Sequence, residues 1–127
     1  MQNFTSQITF LNFRDYEAGR AFLSETLGLT PVYDIGWATV YSVAEGAYLG
    51  AVDHGRSAVT HGSAEGMLIS LTTREIGQWH ERLTGKVEVS PIREIPDAGL
   101  SSFFFHGPEG YSFEIQQFTR PEAQKLF

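Results

Sequence analysis

Glu114 is the residue of this chain best placed to do chemistry. It lies in Tyr111-Ser112-Phe113-Glu114-Ile115-Gln116-Gln117-Phe118, whose alternation predicts a strand. Residues of one parity share a strand face, so Ser112, Glu114 and Gln116 lie together while Tyr111, Phe113 and Ile115 lie opposite. A carboxylate held among aromatic side chains can bind a cationic group, or act as a general base where desolvation raises its pKa. The competing reading is an acid paired with an arginine or exposed at a rim.

The four histidines are the next candidates. His54 and His61 are seven apart in a stretch with no helical or strand period, so a joint metal site there has no frame to hold it. His80 stands beside Trp79 on a predicted helix and is expected on its exposed flank, and His106 opens a turn near Glu109. Each is read first as a solvated or locally hydrogen-bonded imidazole. A non-standard metal site joining His106 to Glu114 is compatible with the sequence, though no spacing demands it. The chain has no cysteine, which removes disulfides, thiolate nucleophiles and thiolate metal sites. Phosphate loops, nucleophile elbows, zinc-protease motifs and dinucleotide fingerprints are absent from the sequence.

The elements that position these residues occur twice. Ile8-Thr9-Phe10-Leu11-Asn12-Phe13 and Met67-Leu68-Ile69-Ser70-Leu71 each open a module with an apolar strand, followed at once by a capped amphipathic helix. In the first module Asp15 is a good N-cap for a helix over Tyr16 to Leu27, with Phe22, Leu23 and Leu27 on one face and Gly28 closing it. Strands Val32–Ile35, Trp37–Val43 and Tyr48–Asp53 follow as a meander. In the second, Thr72 with Glu75 resembles a capping box, and Ile76, Trp79 and Leu83 mark the buried stripe of a helix that Gly85 ends. Strands Val87–Ile92, Leu100–Phe105 and Tyr111–Phe118 complete it, with turns at 96–99 and 106–110. The organisation expected is one domain over 1–127: module one 8–53, a Gly/Ser/Ala-rich linker 54–66, module two 67–118, and a tail 119–127 that either docks on a neighbouring subunit or frays.

Parity assigns faces. Ile8, Phe10 and Asn12 are expected toward a cleft, with Thr9, Leu11 and Phe13 toward the helices. On the third strand Trp37, Thr39, Tyr41 and Val43 share a face that would make a flat aromatic wall, and Phe103 and Phe105 are expected as further walls.

Composition bounds the class. With 127 residues, 42% hydrophobic and 19% charged, the chain has the make-up of a soluble globular domain. A net charge of -6 argues against nucleic acid and mildly favours a neutral or cationic ligand. No run of eighteen apolar residues and no signal core occurs, so no membrane is involved and a cytoplasmic location is expected.

The order of elements, the Ile8 to Asp15 opening, the Ala21-Phe22-Leu23 to Leu27-Gly28-Leu29 helix end and the late Gly107-Pro108-Glu109-Gly110-Tyr111-Ser112-Phe113-Glu114-Ile115 segment resemble the vicinal oxygen chelate superfamily of glyoxalases, bleomycin-resistance proteins, fosfomycin-resistance enzymes and extradiol dioxygenases. The resemblance implies an α+β fold of two βαβββ modules forming curved mixed sheets with a concave cleft, and a homodimer. It also implies a divalent metal in catalytic members, held by a histidine on the first strand of each module and a carboxylate on the last strand of one or both. Here the histidine positions fall at Ile8 and near Gly66 to Leu68, the fourth-strand position falls near Gly50 with Asp53 at or past the strand end, and only Glu114 stands where a ligand is expected. One carboxylate is too few for a zinc, nickel or iron site.

The expected function is therefore a small-molecule binding protein like the bleomycin-resistance branch, without metal or other cofactor. It would sequester a planar or cationic compound between Phe10, Asn12, Trp37, Tyr41, Phe103 and Phe105, with Glu114 supplying the charge. The alternative is a metal-dependent glyoxalase-like lyase or isomerase, or a dioxygenase, in which Glu114 is catalytic. A third reading leaves the cleft purely structural in a dimerisation or regulatory module.

Overall fold

The structure is a computed structural model that describes residues 4–59 and 62–127. It divides into two compact units, 1–63 and 64–127, each with its own sheet.

In the first unit, β1 (Gln7–Phe13) leads into α1 (Tyr16–Ala21), whose last turn widens into a π-helical turn over Phe22–Thr26. Then come β2 (Thr30–Asp34), β3 (Ala38–Ala44) and β4 (Ala47–Asp53). The sheet order is β1-β4-β3-β2, with β1 parallel to β4 and the remaining pairs antiparallel. Asp15 caps α1 as expected, its carboxylate accepting from the Ala18 amide at 3.0 Å. The widened turn shows in the Leu27 amide, which reaches back to the Phe22 carbonyl at 3.0 Å.

The core of this unit lies between helix and sheet, where Leu11, Phe13, Thr39, Tyr41, Leu49 and Ala51 bury against Phe22, Leu23 and Leu27. Helix and strand approach so closely that a Cβ on Gly19 would stand 2.4 Å from the Phe13 ring. Only glycine leaves that room.

The second unit repeats the plan with β5 (Leu68–Thr72), α2 (Ile76–Thr84), β6 (Arg93–Ile95), β7 (Leu100–His106), a tight turn at Pro108–Gly110 and β8 (Ser112–Phe118). Its sheet order is β5-β8-β7-β6, again with one parallel pair, β5 with β8. Together the units are the two βαβββ modules that the sequence predicts.

Three local expectations are corrected in this unit. Residues Val87–Ile92 form no strand, and the second strand of the unit is the short β6. Pro91 has no amide to give to a ladder, and Ser90 meets the β7 edge with its own groups: its amide donates to the Phe104 carbonyl at 2.9 Å and its hydroxyl accepts from the Phe104 amide at 2.8 Å. The capping box at Thr72 and Glu75 does not form. Thr73 Oγ1 takes the Glu75 amide at 3.0 Å, and the Gln117 side-chain oxygen takes the Ile76 amide at 3.1 Å, so the cap of α2 comes from the neighbouring strand. His80 is not on the exposed flank: its ring sits edge-on to Phe103 at 4.8 Å and bonds the Ser90 carbonyl at 3.0 Å.

The tail neither frays nor runs free. A short α3 (Pro121–Gln124) folds it back, with Gln124 Nε2 donating to the Phe118 carbonyl at 2.9 Å, Arg74 donating to the Gln124 carbonyl at 2.8 Å, and the Phe127 ring stacked on Phe118 at 5.0 Å.

Candidate functional site

Strand register in the second unit fixes which side chains share the sheet face away from α2. Leu68, Ser112 and His106 form one row across β5, β8 and β7. Ser70, Glu114 and Phe104 form the next, and Thr72, Gln116 and Ser102 the third. The result is a three-by-three patch centred on the one carboxylate it contains, and β6 extends the third row with Arg93 opposite Ser102.

Glu114 forms the floor of this patch at 9% exposure, ringed by exposed side chains such as Ser70, Leu68, His106 and Phe104, the last 44% exposed. The Ser70 hydroxyl donates a short hydrogen bond to Glu114 Oε1, which fixes the carboxylate's orientation. Below it Gln116 donates to the Thr72 hydroxyl at 3.3 Å. Ser102 is 1% exposed, and its hydroxyl oxygen has no hydrogen-bond partner among the described residues. A buried hydroxyl without a partner loses its water for nothing in return unless something binds it. A depression of about 450 Å³ bounded by Met67, Leu68, Phe104, His106 and Ser112 opens at the first row, and another of about 560 Å³ flanks Phe104 and His106 on the side of residues 88–91. Glu114 lines neither depression, while Phe104, its neighbour in the same row, lines both.

The corresponding face of the first unit is apolar. Phe10 lies across Gly50, where a Cβ would come within 2.4 Å of its ring, and Val40 completes that row. Asn12 shares this face but is tied to the following loop, its amide donating to the Val59 carbonyl at 3.2 Å. Asp53, the last residue of β4, is spent on the turn after it, accepting from the Gly55 amide at 3.1 Å with His54 Nδ1 at 3.6 Å. His61 and any joint site with His54 lie outside the described residues.

Four expected wall residues are elsewhere. Tyr41 lies on the helix side of its sheet, its hydroxyl directed to the Arg20 carbonyl at 3.5 Å, next to Thr39, which bonds Tyr16 at 2.8 Å. Phe103 and Phe105 are buried on the helix side of theirs, Phe103 under His80 and Phe105 stacked on Phe113 at 5.4 Å. Trp37 precedes β3 and carries the Arg56 guanidinium 4.9 Å above its ring. Bulky rings fill the space beneath the helices, and the residues between them take the open face.

The sequence reading overlooked Ser70, Ser102 and Phe104. The signal was present: Ser102, Phe104 and His106 are the polar-bearing parity of β7, and the rule applied to β8 selects them.

Among the described residues no group of three or more histidine, aspartate or glutamate side chains is arranged to hold a metal ion. The Glu114 carboxylate has Ser70, Phe104, Ser112 and Gln116 for direct neighbours on its face and His106 diagonal to it. One carboxylate and one imidazole fall short of the three or four protein ligands that hold a zinc, nickel or iron ion, so these residues do not by themselves fit such a metal.

The comparison with known proteins agrees with the fold. The model of the glyoxalase/bleomycin resistance protein/dioxygenase superfamily matches residues 6–115, and the chain belongs to that superfamily. Among solved structures it resembles a glyoxalase/bleomycin resistance protein/dioxygenase from Nocardioides at TM-score 0.75 and 20% identity, covering 95% of this chain and 87% of that one. It resembles a lactoylglutathione lyase from Agrobacterium tumefaciens at TM-score 0.69 and 21% identity, covering 87% and 91%. The fosfomycin resistance protein FosX from Listeria monocytogenes is similar at TM-score 0.65 and 17% identity, covering 96% and 98%. At these identities the likeness is one of fold. No curated protein sequence matches the chain. No helix among the described residues is long and apolar enough to cross a membrane.

Proposed function

We propose that this protein binds a small cationic molecule on the Glu114 face of its second unit and holds it without a metal ion, in the manner of a sequestering resistance protein. The observation that carries this reading is the floor-level carboxylate held by Ser70, whose direct neighbours in the register are uncharged, with Arg93 beyond Ser102 in the next row of the same face. Such a group favours a positive charge and orients it. The aromatic contribution to the patch is the single ring of Phe104, so the cage of several rings anticipated from the sequence is not part of the proposal. A second reading, a metal-dependent lyase or dioxygenase, is favoured by the family and by the likeness to a lactoylglutathione lyase.

Calorimetric titration of metal-stripped protein with Ni(II), Mn(II), Fe(II) and Zn(II) separates the two. The binding-protein reading expects no tight stoichiometric uptake. Uptake that disappears in Glu114→Gln would overturn the metal-free reading and make lyase and dioxygenase assays the test of the second. A homodimer belongs to the same proposal, with light scattering expected to give twice the 14.2 kDa chain mass and a monomer contradicting it.

A further inference from the structure

We infer that the second unit's patch selects cations by their hydrogen-bond donors: it recognises a primary ammonium group and discriminates against a fully methylated ammonium of equal charge. This rests on the proposed binding function and specifies its ligand class.

A cation can be recognised in two ways. A quaternary ammonium has no N–H to satisfy, and sites for it surround the charge with aromatic faces. A primary ammonium brings three N–H donors, and removing it from water is costly unless acceptors replace the water it loses. The patch is of the second kind. Its rows place hydroxyls at Ser70, Ser102, Ser112 and Thr72 and an amide at Gln116 around Glu114, against one aromatic ring, Phe104. Ser70 occupies Glu114 Oε1, which leaves the other carboxylate oxygen to face a ligand.

Ser102 is the second, independent observation. It is diagonal to Glu114 in the register, on the same face, almost completely buried, and its oxygen has no hydrogen-bond partner among the described residues. A hydroxyl oxygen on the same face as the carboxylate provides a second acceptor for the same ammonium group. A trimethylated nitrogen offers neither oxygen a donor and holds the carboxylate farther away by the radius of its methyl groups. Ser70 acts as a positioning residue, because it touches the carboxylate and not the ligand.

The test uses 2-phenylethylamine and its N,N,N-trimethyl derivative as paired probes, titrated into the whole chain at neutral pH. The primary amine is expected to bind on the order of tenfold tighter than the trimethyl compound, the effect of one hydrogen bond to a charged group. Ser102→Ala should reduce that ratio toward one while leaving the affinity for the trimethyl compound unchanged, with circular dichroism confirming the fold. Equal affinity of the two probes, or tighter binding of the trimethyl compound, overturns the inference even where both depend on Glu114. Binding of neither probe, or binding indifferent to Glu114→Gln, overturns the proposed function and the inference with it.

Discussion

Replacing Gly19 with alanine tests whether α1 is locked onto β1 through Phe13. On helix propensity alone the change should stabilise, since glycine inside a helix costs about 1 kcal/mol relative to alanine. Packing opposes it. The new methyl carbon would lie 2.4, 2.5 and 2.7 Å from Cδ2, Cγ and Cε2 of Phe13, a ring only 1% exposed. Carbon atoms rest at about 3.5–4.0 Å, so the ring or the helix must retreat by roughly 1 Å. Overpacking of this kind costs about 1–3 kcal/mol, which leaves a net loss of up to about 2 kcal/mol after the propensity gain. For a chain of this size the upper end of that loss lowers Tm by roughly 7 °C.

Gly50→Ala provides the control. Its methyl would also approach a phenylalanine ring at 2.4 Å, but that ring belongs to Phe10, which is 49% exposed and free to swing outward. Gly50→Ala should change stability by less than about 0.5 kcal/mol, the range for sites away from the core. Thermal and urea unfolding of both variants, followed by circular dichroism, make the comparison. A Gly19→Ala protein as stable as the parent, or a Gly50→Ala protein equally damaged, refutes the picture of a pinned Phe13 beside a mobile Phe10.

Other consequences follow from the same structure. Burial raises the Tyr16 hydroxyl above the ordinary tyrosine value, against the opposing hydrogen bond with Thr39. The folded chain therefore keeps this proton longer than the unfolded one, so the contribution is present below about pH 10 and lost as pH rises through the folded value. Tyr16→Phe should flatten the alkaline fall in stability while costing about 1 kcal/mol at neutral pH, and an unchanged alkaline slope would count against the assignment. Gln117→Ala removes the side-chain cap from the Ile76 amide and should destabilise by about 1 kcal/mol in urea unfolding, whereas Glu75→Gln should leave stability nearly unchanged. Phe103→Leu should lower Tm and leave the affinity for phenylethylamine intact, because its ring packs under His80; a selective loss of binding would return Phe103 to the site.

Much of the fold was legible because its signals are local. Alternation, the Asp15 cap and the turn glycines each act within a few residues, and they placed both modules. What was misread depends on partners far along the chain. Whether Phe103 and Phe105 or Phe104 share the face of Glu114 is settled by the pairing of β7 with β8; Ser102 and His106 mark the polar parity, but the three consecutive phenylalanines between them mask it. Parity groups Tyr41 with Trp37, Thr39 and Val43 but does not say which side of the sheet that face takes, and the Tyr41 ring fills the space under α1 with its hydroxyl at the Arg20 carbonyl. The strand expected at Val87–Ile92 has β-branched residues at the right spacing, yet Ser90 and Pro91 divert its backbone. Of the candidate site, the sequence places Glu114 with Ser112 and Gln116 on one strand face, while Ser70 and Ser102, ordinary serines in sequence, join that face only through strand pairing.

The most direct test of a metal-free, Glu114-centred ligand site is calorimetry of metal-stripped protein with 2-phenylethylamine in the presence of excess chelator, run alongside Glu114→Gln. The account predicts one site per chain, unaffected by chelator and weakened at least about tenfold in the variant. Binding that appears only when Ni(II) or Zn(II) is restored would contradict it.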